Sequence, residues 1–420
     1  MEYFEIIGGK RLSGEVYING AKNAAVAMLP AALAANDVSV LENLPYIEDV
    51  HSLVDSLTKV GAKCEFTDRH TLVIDSRGVR DPLAHYESIK KTRASYYLVG
   101  VLLGRFGKAE VAIPGGCNFG SRPIDQHVKG FEALGANIKI EHGMIIAHAQ
   151  KLVGTNIYLD VVSVGATINI MLAAIYAEGT TVIENAAKEP HVVDTANFLN
   201  AMGAQIKGAG TDMIRIVGVK RLHGAEYMII PDQIEAGTYL IAAAITGGEV
   251  TVRNIIPKHM DSISAKLQEM NCKIDVGDDF VKLCVPGKLQ SANIKTMTYP
   301  GFPTDLQPQM TVLLCVAEGT GIITETIWEN RFQYVNELKR LGCHVTVEGR
   351  AAVVEGGIQL TGAETYATDL RAGAALVVAG LAAKGRTLVG NVKYIDRGYE
   401  ELVQKLANLG AQIRRVEIEE

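Results

Sequence analysis

A thiol and a guanidinium stand close together in a glycine-rich stretch of the sequence. Cys117 and Arg122 are separated by four residues, and the segment 114–125 around them contains three glycines. Pro114 and Pro123 bracket the pair, which places the segment outside the middle of a helix or strand. Glycines let a backbone approach a ligand closely, and a neighbouring arginine can lower the pKa of a thiol or bind a phosphate with two hydrogen bonds. The pattern predicts a loop that binds an anion; an inert Cys117 in an ordinary turn is the alternative.

Further candidate residues collect where six apolar helices are predicted to begin. Cations there are unusual, because the helix dipole disfavours Lys or Arg at an N-terminus by roughly 0.3–1 kcal/mol, whereas a bound anion makes them favourable. Ser163 and Asp232 are of the residue types that cap helix starts, and we interpret these two as N-caps. The predicted starts carry Lys22 with Asn23, Arg93, Ser163, Asp232, Asp305, and Asp369 with Arg371, while Arg331 and Arg397 lie in loops. Together these side chains predict a site for an anionic ligand.

The helices belong to a sequence repeat of about seventy residues. A helix-ending phrase, for example LNAMGA at 199–204, recurs six times along the chain. The glycine or asparagine in each phrase is of the type expected in the left-handed conformation just past a helix. These residues are Gly61, Gly135, Gly203, Asn271, Gly342 and Gly410. The repetition indicates six structural units.

A second series of segments, rich in Ala, Leu, Val and Ile, runs in phase with the first. They are apolar on nearly every face, which is typical of buried helices. A strand with Asn, Pro or Thr near its end follows each of them, as at 182–185. Because three units would bury three such helices in one core, the sequence predicts an α/β fold of two domains. One is expected to comprise residues 22–229, including the Cys117 loop, and the other residues 1–21 plus 230–420.

The composition is that of a globular protein without a strongly basic surface. The chain has 420 residues, of which 48% are hydrophobic and 21% charged, and its net charge is −6. This charge argues against nucleic-acid binding through a basic face. The six cysteines show no paired spacing, so we predict neither a zinc site nor a disulfide framework, and free thiols fit a reducing cytoplasm. No signal peptide is visible, and the apolar stretches are too short for a membrane span.

Several motifs together resemble one enzyme family over essentially the whole chain. They are NGAKN at 19–23, GGC at 115–117 with the following Arg122-Pro123, SVGAT at 163–167, PD at 231–232, PGFPTD at 300–305, ENRF at 329–332, DLRAG at 369–373 and DRGY at 396–399. On these motifs the chain resembles the UDP-N-acetylglucosamine 1-carboxyvinyltransferase family, which are enolpyruvyl transferases of peptidoglycan synthesis. The resemblance implies a pair of inverted α/β domains, each of three βαβαββ units, in agreement with the sixfold repeat.

The resemblance also implies a reaction. The enolpyruvyl group of phosphoenolpyruvate would pass to the 3′-hydroxyl of UDP-N-acetylglucosamine with release of phosphate, by addition and elimination and without metal or organic cofactor. Such chemistry needs a proton donor, a proton acceptor and cations around phosphate and carboxylate. Carried over by position, Cys117 would be the acid and Asp305 the base, with Asp369 beside it. The antibiotic fosfomycin would alkylate Cys117.

Binding roles are carried over in the same way. Lys22, Arg122 and Arg397 would hold phosphoenolpyruvate, and Lys22 and Arg397 also count among the catalytic residues. Asn23, Arg93 and Asp305 would contact the sugar nucleotide, with Arg331 and Arg371 among the surrounding cations. Arg122, Pro123, Ile124, Asp125 and Gln126, together with Ser163, Val164 and Gly165, would receive the uridine diphosphate, and Ile327 would meet the N-acetyl sugar.

Two other functions stay open at this point. The shikimate-pathway enolpyruvyl transferase shares the fold and phosphoenolpyruvate, but it lacks the Gly-Gly-Cys loop and starts its first helix differently. A non-catalytic protein that binds sugar nucleotides could use the same repeat. The presence of Cys117, Asp305 and Arg397 favours an enzyme.

The first prediction concerns Cys117 as a proton donor. A serine hydroxyl is too weak an acid to replace the thiol, whereas an aspartate beside the anionic substrates can remain protonated. We therefore expect Cys117→Ser to abolish nearly all phosphate release from phosphoenolpyruvate, and Cys117→Asp to retain a substantial part with its optimum at lower pH. The aspartate variant should also resist fosfomycin, because it has no thiolate to alkylate. Phosphate release measured against pH, with and without fosfomycin, tests all three expectations; wild-type turnover by Cys117→Ser would make Cys117 a structural residue.

Overall fold

The computed structural model describes residues 1–80, the backbone of 83–84, and residues 96–112 and 124–418. Within these residues the strands form six sheets of four strands each. Every sheet has the same plan: a parallel pair, then a third strand antiparallel to the second, then a fourth antiparallel to the third. This regularity confirms the α/β fold of six repeated units that the sequence predicts.

In chain order, the first three sheets use strands from the first 230 residues. The first contains Glu226–Met228, Val38–Glu42, Thr71–Asp75 and Lys63–Asp68; the second contains Leu83–Ala84, Lys108–Ala112, Met144–His148 and Asn137–Glu141; the third contains Asn156–Tyr158, Thr180–Glu184, Met213–Val217 and Gln205–Lys207. Helices Lys22–Ala31, Glu48–Val60, Tyr97–Phe106, Asp125–Ala133, Val164–Ala174 and Pro190–Ala201 connect these strands.

The other three sheets draw on both ends of the chain. The fourth contains Ser13–Tyr17, Glu249–Arg253, Phe280–Cys284 and Lys273–Val276; the fifth contains Ile294–Lys295, Thr320–Thr324, Ala351–Glu355 and His344–Glu348; the sixth contains Glu364–Tyr366, Arg386–Gly390, Glu2–Ile7 and Gln412–Glu417. Their helices are Gln233–Ile245, Asp261–Glu269, Gln307–Val316, Val335–Arg340, Leu370–Ala382, Lys393–Asp396 and Leu402–Asn408, with 3₁₀ turns at Pro257–Met260 and Thr304–Leu306. A further 3₁₀ turn, Ala32–Ala34, follows the first helix of the chain.

The chain divides into two compact units, and one of them is built from both ends of the chain because the N-terminal strands join sheets formed late in the sequence. Glu2–Ile7 pairs with Arg386–Gly390 and with Gln412–Glu417, and Ser13–Tyr17 pairs with Glu249–Arg253. One unit accordingly holds Met1–Asn19 and Pro231–Glu420, and the other holds the described residues from Gly20 to Ile230.

Each unit has its own core, built on helices that are buried along almost their whole length. In Leu370–Ala382 every residue from Arg371 to Leu381 is buried. Two buried helices approach each other closely at Gly100, which has no side chain to separate them. The backbone amide of Gly100 donates to the Asn169 side chain on the neighbouring helix at 2.8 Å. These helices are apolar on nearly every face because they have no solvent-facing side.

The predicted helix ends are confirmed. The six residues predicted just past the second helix of each unit all have positive φ, between 71° at Asn271 and 108° at Gly61. Gly61 also donates its amide to the carbonyl of Thr58. Only glycine and, less readily, asparagine adopt this conformation at low cost, which is why a local sequence pattern was sufficient to find it.

A second repeated device stands at the strand ends. Asn43, Asn185, Asn254 and Asn391 each follow the second strand of a sheet, and each has a φ of 54–57°. The side-chain amide of each donates to the carbonyl just past the neighbouring parallel strand, at Ile229, Leu159, Ile18 and Ala367 respectively. The asparagine therefore fixes the point where the parallel strand ends and its chain turns toward a buried helix.

The second prediction tests the close helix packing. A Cβ added at Gly100 would lie 2.2 Å from the backbone oxygen of Asn169, whereas one added at Gly237 meets the flexible end of Leu306 at 2.4 Å. Both glycines lie inside buried helices, so the gain in helix propensity is shared. We expect Gly100→Ala to lower the free energy of unfolding by about 1–3 kcal/mol more than Gly237→Ala, measured by chemical denaturation. Equal losses would show that the Gly100 contact can relax.

Candidate active site around Asp305

A partly exposed carboxylate is held between two buried guanidinium groups. Asp305 lies in the 3₁₀ turn Thr304–Leu306, which leads into a buried helix. Its Oδ2 is 3.0 Å from Arg371 Nη2, and its Oδ1 is 3.5 Å from Arg331 Nη2. The Asp305 side chain is 27% exposed, but those of Arg331 and Arg371 are only 4% and 5% exposed. The carboxylate is thus oriented by the two buried arginines, while part of it stays accessible to solvent.

Arg371 is fixed from several directions. Asp369 caps its helix, and Oδ1 accepts from the Arg371 amide at 2.9 Å and from the Ala372 amide at 3.1 Å. The guanidinium lies over the ring of Tyr399, 5.5 Å from its centroid. Burial acts to lower the pKa of Arg371, but the carboxylates of Asp305 and Asp232 and a hydrogen bond to Tyr399 outweigh it and raise that pKa. Arg371 therefore remains a cation that orients Asp305, and through it the predicted base Asp305 and the predicted catalytic residue Asp369 belong to one network.

This arrangement suits proton abstraction beside an anion. A carboxylate must be oriented to act as a base, and the two arginines hold this one in place. The same guanidinium groups stabilise negative charge that develops nearby during a reaction. Asp305, Asp369, Arg331 and Arg371 are four predicted site residues that the structure brings together.

Lys22 meets a carboxylate of its own unit. It is the first residue of helix Lys22–Ala31, whose start has no side-chain cap. Its Nζ lies 3.1 Å from Oδ2 of Asp49, in the first turn of the next helix. The sequence predicts an anion at this cationic helix start, and in the structure Asp49 supplies one. Asn23 beside it is partly buried.

The starts of two further helices pack together. Ile124 precedes helix Asp125–Ala133, and the buried Gln126 side chain both donates to Asp160 at 3.2 Å and accepts from its amide at 2.9 Å. Gly165 is so close to this helix that an added Cβ would lie 3.1 Å from Nε2 of His127. The stretches predicted to receive a diphosphate, 124–126 and 163–165, therefore lie side by side.

The two predicted N-caps are confirmed. Ser163 Oγ accepts from the Ala166 amide at 3.2 Å, ahead of Val164 at the helix start. Asp232 Oδ1 accepts from the amides of Ile234 and Glu235 at 2.7 and 3.1 Å. Both side chains thus accept from the helix start, and a ligand at Ser163 would meet the hydroxyl as a donor together with backbone amides of the first turn.

Ile327 is placed by a residue that the sequence analysis missed. Its side chain is 36% exposed, and its amide donates to Oε1 of Glu325 at 2.8 Å. A ligand at Ile327 would therefore meet its carbonyl or side chain, because the amide is already engaged. Glu325 is only 1% exposed and follows a strand after which four other repeats have asparagine. That departure from the repeat was the available signal.

The remaining predicted residues are less informative in the structure. Arg93, Cys117, Arg122 and Pro123 lie outside the described residues. Arg397 follows the short helix Lys393–Asp396 and is partly buried. Within the ranges described, no three His, Cys, Asp or Glu side chains cluster in a way that could hold a metal ion, and the five cysteines found there are free. No helix in that part of the chain is long and apolar enough to cross a membrane.

Comparison with known proteins gives consistent results. The family model described as EPSP synthase (3-phosphoshikimate 1-carboxyvinyltransferase) matches residues 6–406. UDP-N-acetylglucosamine 1-carboxyvinyltransferase 2 of Clostridium acetobutylicum is 56% identical over 419 residues, which cover 100% of both chains. UDP-N-acetylglucosamine 1-carboxyvinyltransferase of Clostridium botulinum is 57% identical over 417 residues, covering 99% of this chain and 100% of the relative.

Solved structures show the same fold. The enolpyruvyl transferase NikO from Streptomyces tendae superimposes with a TM-score of 0.90 at 28% identity, covering 99% of this chain and 98% of that one. An EPSP synthase from Acinetobacter baumannii gives a TM-score of 0.75 at 19% identity, covering 99% and 100%. These likenesses confirm the predicted enolpyruvyl transferase fold, the second of them at the level of fold alone.

The third prediction uses His127, which packs against Gly165. Burial lowers the pKa of His127 to about 4, and nearby Asp125 opposes this only in part. In the unfolded chain the pKa is about 6.5. Between these values the unfolded chain binds a proton that the folded protein does not, so stability is lost as the pH falls from 6.5 to 4, by about 3 kcal/mol at most. Denaturation at several pH values should show a shallower loss in His127→Gln; parallel curves for the two proteins would contradict this assignment.

Proposed function

This chain belongs to the EPSP synthase family, and we propose that it transfers the enolpyruvyl group of phosphoenolpyruvate to the 3′-hydroxyl of UDP-N-acetylglucosamine, releasing phosphate. The observation that carries the proposal is the carboxylate of Asp305, partly exposed and oriented by Arg331 and Arg371. The choice of acceptor is supported by relatives above 50% identity over the full chain whose names specify this activity. An acceptor from the shikimate pathway is supported only by the name of the broader family.

The proposed reaction needs one base and one acid. Asp305 removes the proton of the 3′-hydroxyl as its oxygen attacks C2 of phosphoenolpyruvate, and Cys117 protonates C3, giving a tetrahedral intermediate. Loss of a proton from C3 and departure of the phosphate then restore the double bond in the product. Asp369 contributes by fixing Arg371, because its carboxylate accepts a hydrogen bond from the Arg371 amide at 2.9 Å. Each proton taken up at C3 is returned, so the overall change is transfer of the enolpyruvyl group and release of phosphate.

Binding roles follow the same proposal. Lys22, Arg122 and Arg397 hold phosphoenolpyruvate, and Asn23 and Arg93 contact the sugar nucleotide. Because Lys22 already pairs with Asp49 at 3.1 Å, substrate phosphate would share this ammonium group with Asp49. Ammonium has three donors, so such sharing is possible.

The uridine diphosphate would lie against two helix starts. Ile124, Asp125 and Gln126 begin one of them, and Ser163, Val164 and Gly165 begin the other. A helix N-terminus favours phosphate through its free amides and its dipole. The N-acetyl group would meet the carbonyl of Ile327, since its amide is bound to Glu325.

The cellular setting belongs to the same proposal. An enzyme of this activity supplies a precursor of peptidoglycan, and it works in the cytoplasm where both substrates are found. The proposed chemistry uses only side chains of the protein, with neither metal nor organic cofactor. Fosfomycin would inactivate the enzyme by alkylating Cys117.

The experiment that tests this function is phosphate release from phosphoenolpyruvate, with UDP-N-acetylglucosamine and with shikimate 3-phosphate in parallel. We expect release with the sugar nucleotide only. Release with shikimate 3-phosphate alone would favour the other acceptor, and release with neither, despite tight binding of the sugar nucleotide, would favour a non-catalytic binding protein.

The fourth prediction assigns the base. Asp305→Asn preserves the shape of the side chain but cannot accept a proton, so we expect kcat to fall by roughly 10²–10⁴-fold. Asp261→Asn, which changes an exposed aspartate of the same unit, serves as the matched control. Steady-state phosphate release by the two variants gives the comparison. If Asp305→Asn retained the activity of the control, Asp305 would not be the base.

A further inference from the structure

The fifth repeated unit has no asparagine at the end of its second strand. The second unit has Ile113 at that position, which lies outside the described residues. Four units place an asparagine there, with a φ of 54–57°, and its side chain binds the carbonyl past the parallel strand. In the fifth unit the corresponding residue after Thr320–Thr324 is Glu325. The asparagine bond to the parallel strand is replaced by Thr326, whose hydroxyl donates to the carbonyl of Thr296 at 2.6 Å. Glu325 is thereby available for other contacts.

The Glu325 carboxylate accepts four hydrogen bonds while it is only 1% exposed. Oε1 accepts from the Thr296 hydroxyl at 2.9 Å and from the amides of Ile327 and Trp328 at 2.8 and 3.1 Å. Oε2 accepts from the Thr304 hydroxyl at 2.9 Å. All four donors are uncharged. Three of them lie at or next to proposed site residues: Thr304 directly precedes Asp305, Ile327 is itself a proposed site residue, and Trp328 follows it.

The same unit has a longer connection between its parallel strand and its buried helix. In the sixth unit the residue past the parallel strand, Ala367, is followed two positions later by the helix cap Asp369. In the fifth unit the residues 297–303 separate Thr296 from the 3₁₀ turn that carries Asp305. A long connection leaves the position of Asp305 poorly determined unless something ties its end to the sheet. Glu325 binds both ends of the connection, at Thr296 and at Thr304.

We propose that Glu325 is a positioning residue, whose buried carboxylate fixes the turn bearing Asp305 and the backbone at Ile327. Arg331 completes this arrangement, because it contacts both the Thr304 carbonyl at 3.4 Å and the Asp305 carboxylate at 3.5 Å. The inference rests on the proposed function, since it takes Asp305 to be the base. In the fifth unit a glutamate thus replaces the asparagine of the repeat, and this glutamate fixes the turn that carries the proposed base.

Three variants separate positioning from general stability. Glu325→Asn introduces the asparagine that four other units have at this position, so the hydrogen bond to the parallel strand can form. Its side chain is too short to reach the Thr304 hydroxyl as well. Thr304→Val removes one hydroxyl and leaves Glu325 intact. Glu325→Gln is isosteric: its oxygen can accept the three bonds made to Oε1, and its amide can donate to the Thr304 hydroxyl, which also accepts. Asn254→Ala is the control. It removes the corresponding asparagine hydrogen bond, to the carbonyl of Ile18, from the fourth repeat, which lies in the same compact half of the chain as Glu325.

The fifth prediction has two readouts. We expect kcat for phosphate release to fall roughly 10- to 100-fold in Glu325→Asn and Thr304→Val, because small displacements of a reacting group are costly. Glu325→Gln should remain within about threefold of wild type, and Asn254→Ala should lose stability without a comparable loss of kcat. In the protein without substrate, amide exchange at Ile327 and Trp328 should accelerate in Glu325→Asn but not in Asn254→Ala.

The outcomes separate this inference from the proposed function. If Glu325→Asn and Thr304→Val both kept kcat within about threefold of wild type, or if exchange at Ile327 and Trp328 were unchanged in Glu325→Asn, Glu325 would not position the site. If Asp305→Asn were fully active, or if wild type released no phosphate with UDP-N-acetylglucosamine, the proposed function would fail instead. Amide exchange does not depend on activity, so it reports on the anchoring of the loop in either case.

Discussion

Helices that are apolar on nearly every face can be stable only when protein surrounds them, and the rest of this structure follows from that constraint. In Leu370–Ala382 the buried residues run without interruption from Arg371 to Leu381. Such a helix can offer only its ends to a ligand, and its first amides need acceptors. Asp369, Ser163 and Asp232 supply them as caps. Several of the proposed site residues accordingly lie at helix starts, among them Lys22, Ser163 and Asp369.

Charges at these starts are balanced inside the protein. Lys22 pairs with Asp49, and Arg371 pairs with Asp305, so both of these cations near a positive helix end have a carboxylate within 3.1 Å. Ion pairs this buried contribute little net stability, because desolvation offsets much of their attraction. Their value is better explained by orientation: a guanidinium that is 5% exposed holds the Asp305 carboxylate in one place before any substrate arrives.

Local features of the fold were predictable from the sequence, and tertiary ones were not. The six residues with positive φ past helix ends were predictable because glycine and asparagine adopt the left-handed conformation at low cost. The caps at Ser163 and Asp232 were predictable because these side chains accept from amides two or three residues away. The pairing of Lys22 with Asp49, and of Gln126 with Asp160, depends on segments 27 and 34 residues apart that only the folded chain brings together. Asp305 was a candidate from its predicted helix start and took its role as base from the family resemblance, but its contacts with Arg331 and Arg371 were not predicted.

Repetition explains how one unit could change without loss of the fold. Strand ends in four units are fixed by Asn43, Asn185, Asn254 and Asn391. Since each sheet has its own strands, altering the strand end of one sheet need not disturb the other sheets. The fifth unit keeps its strand end through Thr326 and uses the vacated position for a carboxylate, Glu325. A difference between copies of a repeat is thus more informative about function than the features the copies share, because shared features are already explained by folding.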